Sequence, residues 1–327
     1  MKTITLNQPA TATVTLKERL QPGYSSIKDY YTIAGPDYAA WSKDLNMHFG
    51  YCKKFTDIFF LEKMLYRMND EVLARLQIPA DKKMAVVDLG CGVGTVARYT
   101  AKQYPFAAIT GVTIVDAQIN TGTALINKDG LSNQVSLVKD NFENISFKNE
   151  SFDRAYAVES ACHASRSSKE LFIAEMARIL KTGGKFCIAD GFLKHDKKLP
   201  WLFNKIYKKI INCWALPCFG NINDFTAALK KHGLTNINAE EISLQIAPSV
   251  AYVPYTSVKF FITQLWKHKT LRLKKERWNN VIAPVLGMFL GLYRKHFGYY
   301  IISGEKASSI SSQGGGNGED FLRRLCS

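Results

Sequence analysis

The chain has 327 residues, 46% of them hydrophobic and 22% charged, enough for one large core or a core with a smaller appended unit. Forty-three Lys and Arg stand against 28 Asp and Glu, a net charge of +15. Seven scattered cysteines, none in a C-x-x-C pair, argue against a disulfide framework and a zinc site, and no metal site is expected. The polar start carries no signal-peptide pattern, so a reducing, cytoplasmic setting is expected.

Residues 1–27 read as a flexible arm and 28–80 as a helical cap, in which Phe55, Ile58, Phe59, Glu62 and Leu65 fall at roughly helical spacing. Strands then alternate with helices. A strand over 84–88 leads to a helix near 94–103, and one over 107–112 to a helix near 116–128. Strands at 135–138 and 155–158 follow, then a helix from about 168 to 180, a Lys181–Gly184 turn and a strand at 185–189. This rhythm predicts an α/β fold, a doubly wound, mostly parallel sheet of seven strands with helices on both faces. Residues 81–193 would form this core.

After Gly191 the rhythm lapses. Residues 194–306 carry eighteen Lys and Arg against six Asp and Glu, so most of the net charge sits there. They read as lid or membrane-facing helices, with a helix over 223–231 and strands over 235–242 and 299–303. The apolar run Val281–Tyr293 is shorter than the roughly 20 residues needed to span a bilayer, and cations flank it. It suits an anionic membrane surface, or a buried helix with charged ends, so a peripheral membrane location is a second expectation. The Ser/Gly-rich residues 307–327 read as a disordered tail.

The segment with most chemical content is Asp88-Leu89-Gly90-Cys91-Gly92-Val93-Gly94, where a buried strand ends in an acid and three glycines open a helix. Glycines let a ligand approach the backbone, and the helix amides beyond face it. A dinucleotide site would have G-x-G-x-x-G and an acid after the second strand; here the spacing is G-x-G-x-G and Gly111-Val112-Thr113 ends that strand. No Gly-Lys-Ser/Thr follows, so a P-loop is excluded. An acid before G-x-G-x-G suits a nucleoside with an amino-acid tail, whose ammonium needs an acceptor.

Asp88–Gly94 resembles motif I of class I S-adenosylmethionine-dependent methyltransferases. Gly111-Val112-Thr113-Ile114-Val115-Asp116-Ala117-Gln118 resembles the G-[IV]-T-L-S-x-x-Q segment of their sterol and tocopherol C-methyltransferase branch. Glu159-Ser160-Ala161-Cys162-His163-Ala164 is similar to the branch's E-A-T-C-H-A stretch. Lys139-Asp140-Asn141 stands where the family has G-D-A, and Arg178–Gly184 resembles R-[VI]-L-K-P-G-G with Thr182 for the proline. Tyr30-Tyr31, Tyr38 and His48–Tyr51 are similar to the branch's upstream Y-Y-D…Y…H-x-G-[YF] segment, with Thr32 in place of the acid.

The resemblance covers roughly residues 28–193. It implies a Rossmann-like fold and S-adenosyl-L-methionine as cofactor, bound by Tyr31, Asp88, Gly90, Cys91, Gly92, Gly94, Thr113, Gln118, Asp140 and Asn141. It further implies Glu159 and His163 as catalytic residues and a hydrophobic isoprenoid acceptor: a sterol, a prenyl quinone or chromanol, or a prenyl diphosphate. C-methylation of an alkene leaves a carbocation that a carboxylate can stabilise or deprotonate. O- or N-methylation of another small molecule is the alternative, with His163 then the more useful base. A non-catalytic binding protein and a nucleic-acid methyltransferase are further alternatives. No N/D-P-P-Y/F motif or RNA-binding module is present, so no nucleic acid is expected as partner. The sequence leaves the oligomeric state open.

Overall fold

The computed structural model describes residues 24–269 and 272–307. The elements in chain order are α1 (Tyr24–Ala34), α2 (Leu61–Leu76), β1 (Met84–Leu89), α3 (Thr95–Gln103), β2 (Ala107–Thr113), α4 (Asp116–Lys128), β3 (Val135–Lys139), β4 (Phe152–Val158), α5 (Glu170–Ile179) and β5 (Leu180–Leu193). Then come α6 (Trp201–Cys213), β6 (Gly220–Asn221), α7 (Ile222–Lys231), β7 (Leu234–Glu241), α8 (Ser243–Val250), α9 (Val253–His268), α10 (Lys275–Leu292) and β8 (Phe297–Lys306).

The main sheet path is β3-β2-β1-β4-β5-β8-β7, with β6 pairing the end of β5. Strands β1 to β5 run parallel, and β8 runs antiparallel to both β5 and β7. Alternation along β1 fills both faces. Val87 packs with Phe172 and Ile173 of α5 and Phe225 of α7, whereas Val86 packs with Met68 and Leu76 of α2 and Val96 of α3. The chain order reverses between β1 and β4, and the strand ends there open the crevice where ligands bind in such sheets.

Three local expectations are corrected. The helical spacing from Phe55 to Leu65 is not one helix: α2 begins only at Leu61, after a 3-10 turn over Phe55–Phe59. The cause is Asp57, whose buried carboxylate accepts from Lys53 N and Lys54 N and pairs with Lys63 at 2.8 Å, folding the chain back on itself. Phe55 and Phe59 are consequently exposed rather than packed. Lys181–Gly184 is a bulge within β5 rather than a turn before it. Phe152 pairs with Leu180 but Arg154 pairs with Lys185, and Gly183 takes φ +71°. Helix α1 starts inside the stretch read as an arm, whose residues 1–23 lie outside the described part, as do 308–327 of the tail. No helix among the described residues is long and apolar enough to cross a membrane.

Candidate active site

The glycine turn is built by two bonds: Gly90 N and Cys91 N both donate to Val112 O, at 2.9 and 3.0 Å, swinging the chain over the end of β2. Gly90 takes φ +87° and Gly92 φ +55°. A Cβ on Gly90 would stand 2.3 Å from Ser160 Cβ, and Ser160 Oγ donates to Leu89 O at 2.5 Å, locking the ends of β1 and β4 together. Gly90→Ala therefore combines a left-handed backbone with a clash, and should lower stability by about 2–4 kcal/mol. A denaturation midpoint equal to that of the parent protein would contradict this packing.

The turn forms the floor of a cleft. Eleven of the twelve residues singled out in the sequence line it: Tyr31, Asp88, Gly90, Cys91, Gly92, Thr113, Gln118, Asp140, Asn141, Glu159 and His163. Gly94 is the exception. It opens α3 at φ +72°, a left-handed conformation that favours glycine, and a Cβ there would stand 3.1 Å from Leu137, behind the cleft.

Asp88 is buried, and its Oδ2 has no hydrogen-bond partner among the described residues. Burial pushes its carboxyl up to about 7, with the nearby Tyr156 hydroxyl pulling the other way. An ammonium placed there would satisfy the orphaned oxygen. Thr113 Oγ1 donates to Gln118 Oε1 at 2.7 Å, which orients the Gln118 amide beside Gly92. Asp140 accepts from Asn141 N at 2.8 Å and Ser146 N at 2.7 Å, so its carboxylate is held rigidly at the rim. An orphaned acid, a glycine cradle and a fixed carboxylate beyond it fit a nucleoside with a cationic amino-acid tail.

A second cavity of about 530 Å³ lies beside the first. Helices α6, α8, α9 and α10 and the segment 37–41 wall it with Trp41, Ile210, Trp214, Ile246, Phe260 and Met288. The two spaces share Tyr31, Met47, His48, Glu159 and His163. The residues expected to carry chemistry thus form the partition.

Glu159 is held from three sides. Its N donates to Ala189 O at 2.8 Å, and its Oε1 accepts from Phe49 N at 2.6 Å and Tyr299 Oη at 2.8 Å. Oε2 has no partner among the described residues. The residue sits at φ +48°, a backbone conformation costly for a side chain and common where function fixes geometry. Burial raises its carboxyl to about 8; Phe49 N–H opposes this, neighbouring Asp190 adds to it, and the Tyr299 hydroxyl opposes it.

His163 Nε2 lies 2.9 Å from Tyr31 Oη, and its Nδ1 is buried without a partner. Burial and then the Lys169 ammonium lower its pKa to about 3, so the imidazole is neutral and a weak base.

Three supporting residues escaped the sequence reading. Tyr299 arrives on β8, 140 residues from Glu159. Asp190, at the end of β5, accepts from Cys162 N at 2.8 Å. Lys169 is buried, and its Nζ donates to Cys162 O, Ala164 O and Cys218 O at 3.0, 2.6 and 2.8 Å, pinning the loop that carries His163. Nothing in the local pattern marks Lys169, because an exposed lysine at a helix start reads identically.

A methyltransferase-domain family model matches residues 86–184. An S-adenosyl-L-methionine-dependent Diels-Alderase of Talaromyces variabilis is 31% identical over 228 residues, 65% of this chain and 75% of that protein. The chain belongs to the class I S-adenosylmethionine-dependent methyltransferases. A methyltransferase of Streptomyces halstedii is 27% identical over 68% of this chain and 77% of its own length. A sterol 24-C-methyltransferase of Neurospora crassa is 33% identical over 179 residues, 54% of this chain; the match spans 46% of that enzyme. A solved cyclopropane synthase from Mycobacterium tuberculosis superposes with a TM-score of 0.71 at 16% identity, over 88% of this chain and 99% of its own, which establishes the shared fold. The cofactor of this methyltransferase is S-adenosylmethionine, whose sulfonium supplies an electrophilic methyl group.

Proposed function

We propose that this methyltransferase acts on carbon in an uncharged, hydrophobic isoprenoid acceptor such as a sterol or a prenyl quinol. The observation that carries the reading is the shared partition: Glu159 borders both the cleft suited to the cofactor and an apolar cavity large enough for a polycyclic or prenylated molecule. Within the proposal, Asp88 takes the ammonium of the cofactor, Thr113 and Gln118 its nucleoside hydroxyls, and Asp140 its adenine amino group. Tyr31 and His48 close the boundary between donor and acceptor and exclude water.

Glu159 has two tasks in this reading. Its carboxylate stabilises positive charge that develops on the acceptor, and its oxygen then takes the proton from the neighbouring carbon. A cation in the partition lowers the carboxyl pKa from its ligand-free value, so the base is ionised when it is needed. His163, with a pKa of about 3, is poorly suited as final proton acceptor. That favours carbon methylation over phenol methylation with His163 as base. Among the described residues the cavity wall carries one Lys or Arg, Arg294, and it contacts Glu241 at 3.4 Å, which supports an uncharged acceptor over a prenyl diphosphate.

The test is incubation with methyl-labelled S-adenosylmethionine and a panel of sterols, prenyl quinols, prenyl diphosphates and tRNA, followed by product structure determination. Label on a carbon of a sterol or quinol is the expected result. Label on oxygen or nitrogen, in RNA, or a rearranged acceptor of unchanged mass would overturn the reading.

A further inference from the structure

Helix α9 is apolar on both sides. One face, Val253, Thr256, Phe260 and Gln264, is buried, and three of these four residues line the large cavity. The opposite face carries Tyr255, Val258, Ile262, Leu265 and Trp266, which remain 63%, 57%, 63%, 52% and 78% exposed. In water such a face is unfavourable, and a helix apolar all round is normally enclosed by protein or lipid.

The face continues beyond the helix. Tyr252, just before α9, donates through its hydroxyl to Ile58 O at 2.8 Å, which places the exposed Phe55 and Phe59 beside the start of α9. Exposed Leu244 and Leu292 also line the cavity, so it opens among exposed apolar groups. The run Val281–Tyr293, which the sequence suggested as a membrane element, is engaged in part: Ala283 and Leu290 are buried and Tyr293 stacks on Phe203 at 4.0 Å, whereas Phe289 and Leu292 stay exposed.

Charge selects the occupant. Helix α9 has no Asp or Glu, and Lys259 lies within its outward face at positions 255, 259, 262 and 266. Exposed Lys54 and Lys269 flank the patch and make no ion pair among the described residues. Aromatic and aliphatic side chains framed by lysines suit the headgroup boundary of an anionic bilayer.

We propose that the outward face of α9, with Phe55 and Phe59, docks this methyltransferase on an anionic lipid surface so that the acceptor cavity fills from the bilayer. The inference extends the isoprenoid reading and rests on it for its purpose, since such acceptors reside in lipid.

The full chain is sedimented with vesicles of phosphatidylcholine alone and with vesicles containing about 30 mol% phosphatidylserine, at low and high salt. The expected result is binding to the anionic vesicles that weakens with salt. The double variant Ile262→Asp/Trp266→Asp, on residues outside both cavities, should partition at least about tenfold less while its S-adenosylmethionine affinity is unchanged. Three results would overturn the proposal: a parent protein left in the supernatant with both vesicles, a variant that partitions equally, or a dimer in solution that the variant dissolves. Methylation of acceptors in detergent micelles separates this from the substrate reading. A protein that binds vesicles but methylates no isoprenoid refutes the substrate reading alone, and the opposite pattern refutes docking alone.

Discussion

Glu159→Gln should reduce methyl transfer by about a thousandfold while leaving S-adenosylmethionine affinity within a few-fold. Glutamine keeps the volume and can still accept from Phe49 N and Tyr299 Oη, so the partition holds its shape. It loses the negative charge and the proton acceptor together. The parent protein supplies a second signature. Because burial lifts the Glu159 carboxyl to about 8 in the ligand-free site, kcat/KM should rise with pH through that region, above the limb near 7 that Asp88 contributes. The variant should lose the upper limb. Turnover within tenfold of the parent, or a retained upper limb, would remove Glu159 from the chemistry.

Asp88→Asn should weaken S-adenosylmethionine binding by about 10- to 100-fold, the scale of a buried hydrogen bond to a charged group. Asp88 Oδ2 is an orphaned acceptor in the cleft, and only the nearby Tyr156 hydroxyl offsets the burial of this carboxyl. With its pKa raised to about 7, the ligand-free carboxyl is half protonated near neutrality, and a bound ammonium ionises it. Affinity should therefore rise between about pH 6 and pH 8 with release of a proton, measurable by calorimetry in buffers of different ionisation enthalpy.

The same shift has a stability consequence of opposite sense. A carboxyl whose folded pKa lies above its unfolded value of about 4 stabilises the fold fully below that value, and the contribution is lost as pH climbs through the folded pKa. The ligand-free protein should thus lose stability as pH rises from about 4 to about 7, and Asp88→Asn should remove that part of the decline. An affinity independent of pH in the parent would contradict the role given to Asp88.

The cleft was legible in the sequence because its parts are local. Strand, acid, glycine turn and helix occur within a dozen residues, and the backbone geometry of Gly90 and Gly92 follows from having no Cβ. Thr113 and Gln118 are five apart and bond to each other directly. Gly94 shows the limit of this reasoning: the same pattern holds a residue that lies against Leu137 rather than in the cleft, a placement that no spacing reveals. Within the cap, the spacing at 55–65 misled for a related reason, since periodicity cannot register that buried Asp57 ties two preceding amides into a 3-10 turn ahead of α2.

By itself, then, the amino-acid sequence determined the α/β alternation and the glycine turn, because hydrophobic periodicity and backbone sterics act over a few residues; the methyl donor came from the resemblance of Asp88–Gly94 and Gly111–Gln118 to methyltransferase motifs. The tertiary structure alone decided how Glu159 is poised. Its hydrogen-bond partners come from Phe49 and from Tyr299, and its raised pKa comes from burial among elements at both ends of the chain. It alone also showed that the larger exposed apolar face lies on α9, with only Phe289 and Leu292 left exposed near the end of α10. Which face of a helix is covered depends on its neighbours, and only packing supplies those.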